Sequence, residues 1–81
     1  MPKLATPEDV LRIAQETLPK VDFTTDSLLV DDGLLDSLSV MLLISAFSME
    51  YDIFFDIECL VPKNFNSIKA MTETLRHLQQ G

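Results

Sequence analysis

The 81-residue sequence has few of the residues on which small enzymes and crosslinked proteins depend. Its single cysteine, Cys59, excludes an internal disulfide. Its single histidine, His77, falls near the end of the last predicted helix, and no spacing pairs it with a nucleophile or with further metal ligands. We therefore expect a protein that is not an enzyme and has no metal site.

Positive charge and long apolar runs are scarce as well. Six Lys and Arg residues against 13 Asp and Glu residues give a net charge of −7, which argues against nucleic acid and anionic membrane surfaces as partners. The longest apolar run, at residues 40–44, is too short for a bilayer, and residues 1–5 lack the apolar stretch of a signal peptide. We expect a cytoplasmic protein without a transmembrane segment.

The apolar residues that are present follow helical spacing. Hydrophobic residues make up 47% of the chain, which is too many for a disordered protein. The length fits one domain, residues 1–81. Because no stretch alternates in the way of a β-strand, we expect an all-α chain with three long helices and one short one.

Local signals predict where these helices begin and end. Thr6 suits the cap of the first helix, and Asn66 or Ser67 suits the cap of the last. Pro19 and Pro62 end the first and third helices, since proline cannot continue a helix. The predicted helices cover residues 7–17, about 37–51, 57–61, and 68 to the C-terminus.

Residues 19–36 form a long first loop that contains Gly33 and five aspartates. A calcium-binding EF-hand does not fit, because with Gly33 at the glycine position the first ligand would be Leu28. The aspartates are better explained as charged loop residues that face the solvent. We expect seven apolar residues to hold the loop against the bundle: Val21, Phe23, Leu28, Leu29, Val30, Leu34 and Leu35.

The second helix has apolar residues on nearly every side. One stripe, formed by Val40, Ile44, Phe47 and Tyr51 with Leu43 beside it, is expected in the core. The predicted core joins Phe47 and Tyr51 to Ile68, Met71 and Leu75, with Phe55 and Phe65 at the far end.

Four further apolar residues of this helix lie off that stripe: Leu38, Met41, Leu42 and Met49. A chain of this length can hardly surround a helix on all sides. Either these residues face outward and bind a partner, or the long first loop covers them.

Ser37 is the candidate functional residue. It is expected in the first turn of the second helix, after the cap Asp36 and the turn at Gly33. No base accompanies Ser37, so it is poorly placed as a nucleophile. The positive end of a helix favours a phosphate, however, so a phosphodiester on its hydroxyl would lie in a favourable field.

The segment around this serine resembles the attachment site of acyl and peptidyl carrier proteins. The resemblance covers nearly the whole chain. It also includes the acidic and aromatic residues 50–53 and the segment 65–68 that precedes the last helix. Its most specific part is Gly33-Leu34-Leu35-Asp36-Ser37-Leu38.

The resemblance implies a four-helix bundle with a short third helix and a long first loop. It implies a 4′-phosphopantetheine arm on Ser37, whose thiol holds acyl or aminoacyl intermediates as thioesters. Asp36 would help a magnesium-dependent transferase orient the serine, Leu38 would anchor the helix start or touch the transferase, and Gly33 would allow the turn.

The partners implied are a phosphopantetheinyl transferase that uses coenzyme A, a loading ligase, and a downstream synthase or transferase. Fatty-acid, polyketide, peptidyl and D-alanyl carriers all remain open, and we expect a discrete, monomeric carrier. Many fatty-acid carriers have an acidic second helix, whereas this one has no charge before Glu50. We therefore expect partners to dock on apolar residues: Leu38, Met41, Leu42 and Met49.

The alternative is an all-α adaptor that binds partners through the same apolar helix and carries no prosthetic group. The intact mass of the protein, expressed together with a phosphopantetheinyl transferase, distinguishes the two hypotheses.

Overall fold

The computed structural model describes residues 4–24, 26 and 28–80. Over these residues the chain is all-α, without strands, as the sequence predicts. It has three α-helices and two short 3₁₀ helices. In chain order they are α1 (Pro7–Thr17), α2 (Ser37–Tyr51), the 3₁₀ helices Ile57–Cys59 and Pro62–Asn64, and α3 (Ile68–Gln80).

Side-chain caps and prolines produce the helix ends that the sequence predicts. The Thr6 side chain accepts a hydrogen bond from the Asp9 amide at 3.3 Å, which begins α1. Leu18 leaves helical geometry directly before Pro19, because the proline ring disfavours the helical conformation of the preceding residue. Of the two caps proposed for α3, Ser67 serves, since its hydroxyl accepts from the Ala70 amide at 3.0 Å.

The expected short helix at residues 57–61 is not an α-helix. A 3₁₀ helix covers Ile57–Cys59, and a second one begins at Pro62. Val61 between them is extended, with φ −120° and ψ 148°. The proline that we expected to end one helix therefore splits the segment into two single turns, and the described residues do not form a bundle of four α-helices.

A single hydrophobic core lies where the three α-helices meet. Helix α1 packs against both α2 and α3. Phe47, Tyr51, Met71 and Leu75 are all buried in this core, as expected. The predicted far-end residues are also there: Phe55 and Phe65 are buried, with ring centroids 6.3 Å apart.

The first loop is held by fewer residues than expected. Phe23, Leu29 and Leu35 are buried in the core. Leu28 and Leu34, which we expected to be anchors as well, are exposed. Val21 and Val30 are partly buried and pack against the core, so five of the seven predicted residues hold the loop.

Among the described residues, no helix combines the length and the apolar character needed to cross a membrane.

Candidate functional site

The candidate site begins at the N-terminal cap of α2. Asp36 is extended, with φ −95° and ψ −178°, and its Oδ1 accepts from the Ser39 amide at 2.8 Å. Its backbone carbonyl accepts from the Val40 amide at 3.0 Å. These two bonds fix the first turn of α2, and the Ser37 side chain lies exposed within that turn.

The Asp36 carboxylate is stabilised in its charged form. The hydrogen bond from the Ser39 amide, followed by the Ser39 side chain, holds the pKa of Asp36 below its ordinary value. Asp36 is therefore ionised at neutral pH. One negative charge lies next in sequence to the Ser37 hydroxyl, which suits the recruitment of a divalent cation by a separate enzyme.

Gly33 forms the turn before this cap, as predicted. Its φ is +83°, a left-handed conformation that other residues adopt only with strain. Its amide donates to the Val30 carbonyl at 3.1 Å. A Cβ atom placed on Gly33 would meet nothing within 4 Å, so the backbone conformation, and not crowding, requires glycine here.

A groove of about 240 Å³ opens beside Ser37. One side is formed by α2, and the facing side by residues 60–65 together with Val30 from the first loop. Among the described residues of the lining, Ser37 is polar and the others are apolar: Val30, Val40, Met41, Ile44, Leu60, Val61, Pro62 and Phe65.

The sequence alone predicts only half of this groove. Val40, Met41 and Ile44 follow Ser37 at helical spacing, so their place on its side of α2 can be read from the sequence. The groove also explains why Val40 and Ile44, expected in the core stripe, are only partly buried. The facing wall is brought there by tertiary packing, and no local pattern indicates it.

The predicted partner face of α2 is exposed. Leu38 is 70% exposed, Leu42 45% and Met49 84%, and helical spacing places the three on one side of the helix. Met41 is exposed too, at the edge of the groove. These four residues therefore face outward, as one of the two hypotheses expects, and the described residues of the first loop do not cover them.

Met49 is not close to Ser37. The rise of an α-helix puts it about 18 Å along the axis from the serine. It lines a different cleft, together with Ile13 and Glu16 of α1. Of the four residues predicted to bind partners, Leu38, Met41 and Leu42 are therefore the ones near Ser37.

A second, shallower cleft brings Cys59 and His77 to one surface, beside Lys63 and Glu73. The spacing of Cys59 and His77 in the sequence gave no indication that they would lie close together. Cys59 is partly buried and His77 is exposed. In the described part of the chain, no group of three or more histidine, cysteine or acidic side chains is arranged to hold a metal ion.

Comparison of this chain with protein-family models, with curated proteins and with solved structures gave no match. Any function assigned to it therefore depends on its own residues.

Proposed function

We propose that this protein is a carrier that holds acyl or aminoacyl groups on a phosphopantetheine arm attached to Ser37. One observation carries the proposal. The Ser37 hydroxyl is exposed in the first turn of α2, next to the ionised cap Asp36 and at the rim of an apolar groove.

The residues around Ser37 fit such an arm. The positive end of α2 favours the phosphodiester that would form on the serine oxygen. The Asp36 carboxylate already accepts a hydrogen bond from one first-turn amide, that of Ser39. The same carboxylate is exposed, so it is available for the magnesium ion of a transferase. The apolar groove offers a place beside the serine where a short apolar cargo would be shielded from water.

The modification itself requires a separate enzyme. The Ser37 oxygen would attack the pyrophosphate of coenzyme A and form a phosphodiester, while adenosine 3′,5′-bisphosphate leaves with the bonding electrons. The serine proton would pass to a base of that enzyme, because the adjacent carboxylate, Asp36, is the helix cap. When bound, the arm supplies a thiol that holds the cargo as a thioester.

The resemblance of residues 33–38 to carrier-protein attachment sites points to the same function. Three observations support the proposal: Asp36 caps α2, Gly33 has a positive φ, and the Ser37 side chain is exposed. The exposed Leu38, Met41 and Leu42 would meet the transferase, the loading ligase and the downstream enzyme.

The test is the intact mass of the protein after incubation with coenzyme A, magnesium and a promiscuous phosphopantetheinyl transferase. We expect one phosphopantetheinyl group on the wild-type protein and none on Ser37→Ala. The matched control is Ser45→Ala, which removes an exposed hydroxyl from the same helix about two turns further along and should leave the mass gain intact. Alanine is tolerated in helices, so circular dichroism should show both variants folded.

Two outcomes would contradict the proposal. A mass gain that persists in Ser37→Ala would place the modification elsewhere. A wild-type protein that gains no mass would favour the adaptor function, for which the exposed apolar side of α2 is the supporting observation.

A further inference from the structure

Asn66 is a buried polar residue whose side chain serves a distant part of the chain. It is only 9% exposed and lies just before α3, but Ser67 and not Asn66 caps that helix. The Asn66 Oδ1 accepts from the amides of Val30 at 2.9 Å and Asp31 at 3.0 Å. Its Nδ2 donates to the Asp31 carboxylate at 3.1 Å.

The Asn66 backbone adds a further bond to the same stretch. Its carbonyl accepts from the Leu29 amide at 2.9 Å. One residue thus satisfies three successive amides of the first loop, at Leu29, Val30 and Asp31. Leaving these partly buried amides without acceptors would cost free energy. The contact with Asn66 therefore holds the loop in one conformation.

This clamped stretch leads directly to Ser37. The Leu35 amide donates to the Leu29 carbonyl at 2.8 Å, which closes the loop immediately before the cap Asp36. Val30, whose amide Asn66 holds, lines the groove beside Ser37. Asn66 therefore affects the candidate site in two ways. It fixes the loop segment that leads to the cap Asp36, and it fixes Val30 in the groove wall that faces α2.

We infer that Asn66 is a positioning residue for the modification of Ser37: by clamping residues 29–31, it sets the geometry in which the serine meets the transferase. The inference rests on the proposed function of Ser37. Asn66 does not touch the reacting atoms, so its effect should appear in kcat of phosphopantetheine transfer more than in KM.

The experiment compares Asn66→Ala with the matched control Asn64→Ala. Asn64 lies two residues earlier, and its side chain makes one local hydrogen bond, to the Cys59 carbonyl at 2.9 Å. We expect Asn66→Ala to lower kcat about tenfold or more, because a small misplacement of a reacting group has effects of this size. Amide exchange at Val30, Asp31 and Ser39 should speed up in the same variant. Asn64→Ala should change neither quantity.

A donor–acceptor exchange separates positioning from general stability. Asn66→Asp keeps an acceptor for the two amides but loses the donor to Asp31 and places two carboxylates side by side, so kcat should fall. Adding Asp31→Asn supplies a donor from the other side of the contact. The double variant should recover most of the lost kcat, whereas Asp31→Asn alone should not exceed wild type.

The outcomes distinguish this inference from the function on which it rests. Wild-type protein that gains no mass would overturn the proposed function, and the positioning role with it. Wild-type protein that is modified, alongside an Asn66→Ala variant with unchanged kcat, would overturn the positioning role alone. So would a double variant that remains as slow as Asn66→Asp while both proteins are folded.

Discussion

Asp36 and Ser37 are adjacent in sequence and have separate tasks at the start of α2. The Asp36 carboxylate is bound to the Ser39 amide at 2.8 Å and begins the helix. The Ser37 side chain is left exposed. Because the cap is supplied by the preceding residue, a substitution or a modification at Ser37 leaves the capping hydrogen bond in place.

The charge of Asp36 should make part of the stability depend on pH. Its pKa is lower in the folded protein, chiefly because of the Ser39 amide. A carboxyl group of this kind stabilises the fold above its unfolded pKa, and the contribution is lost as the pH falls through the lowered, folded value. We expect Asp36→Asn to be less stable than wild type at neutral pH and to approach it in acid, as measured by urea titration.

Asp36→Ala is the control for this effect. Alanine has no acceptor for the Ser39 amide in either protonation state, whereas a protonated aspartic acid retains its carbonyl oxygen. The difference between Asp36→Ala and wild type should therefore persist in acid. A difference between Asp36→Asn and wild type that stays constant across the pH range would contradict a charge effect.

Helix α2 differs from the other two α-helices in being apolar on opposite sides. Leu43, Phe47 and Tyr51 are buried, while Leu38, Leu42 and Met49 face outward. Helices α1 and α3 each bury one apolar side and expose a polar one. The core explains only one side of α2, so the other side is available for the partners of the proposed carrier.

Leu42→Glu tests this outward side. Since Leu42 is well exposed, the substitution should leave the fold intact while placing a charge in a contact that excludes water. We expect slower phosphopantetheine transfer with an unchanged melting temperature. Apolar docking also predicts that the wild-type rate falls only modestly as salt is raised.

The neighbouring residue supplies the control. Leu43 is fully buried, so Leu43→Glu should unfold the protein, and the contrast between adjacent positions checks which side of α2 faces the core. Docking through Leu42 would be ruled out by a Leu42→Glu protein that is modified at the wild-type rate. A wild-type rate that collapses at moderate salt would indicate steering by charge instead.

Across the whole molecule, the core residues and the charged residues are distributed differently along the chain. The core draws on all three α-helices, the first loop and the segment between α2 and α3. Every lysine, arginine and histidine lies outside residues 21–62, whereas most of the carboxylates lie within that range. The chain segment that contains the candidate site is therefore both acidic and free of basic residues.

Phe47→Ala tests how far the fold depends on this one core. Phe47 is fully buried, and such truncations cost about 3–5 kcal/mol. Small domains have a total stability of about 5–15 kcal/mol, so at the lower end of that range the loss would approach the whole of it. Phe54→Ala is the matched control: Phe54 is 81% exposed, and its truncation should change the free energy of unfolding by no more than about 0.5 kcal/mol. A loss below about 1 kcal/mol for Phe47→Ala, measured by urea titration, would show that this side chain is not a core residue.

Interactions between close neighbours in the chain explain what could be predicted from sequence. Thr6, Pro19 and Asp36 act on amides or conformations within a few residues, so the ends of α1 and α2 agree with the local signals. The same local rules were insufficient for residues 57–64, where one turn of α-helix and one turn of 3₁₀ helix look alike in sequence.

The sequence by itself determined the helical class, the bounds of α1 and α2, and the position of Ser37 beside its cap. Tertiary structure decided what surrounds that serine. Residues 60–65 form the facing wall of the groove, and the Asn66 side chain, which local rules offer as a helix cap, binds Val30 and Asp31 instead. Hydrogen bonds and apolar contacts between residues far apart in the chain form only when the core brings them together, and therefore no local pattern in the sequence records them.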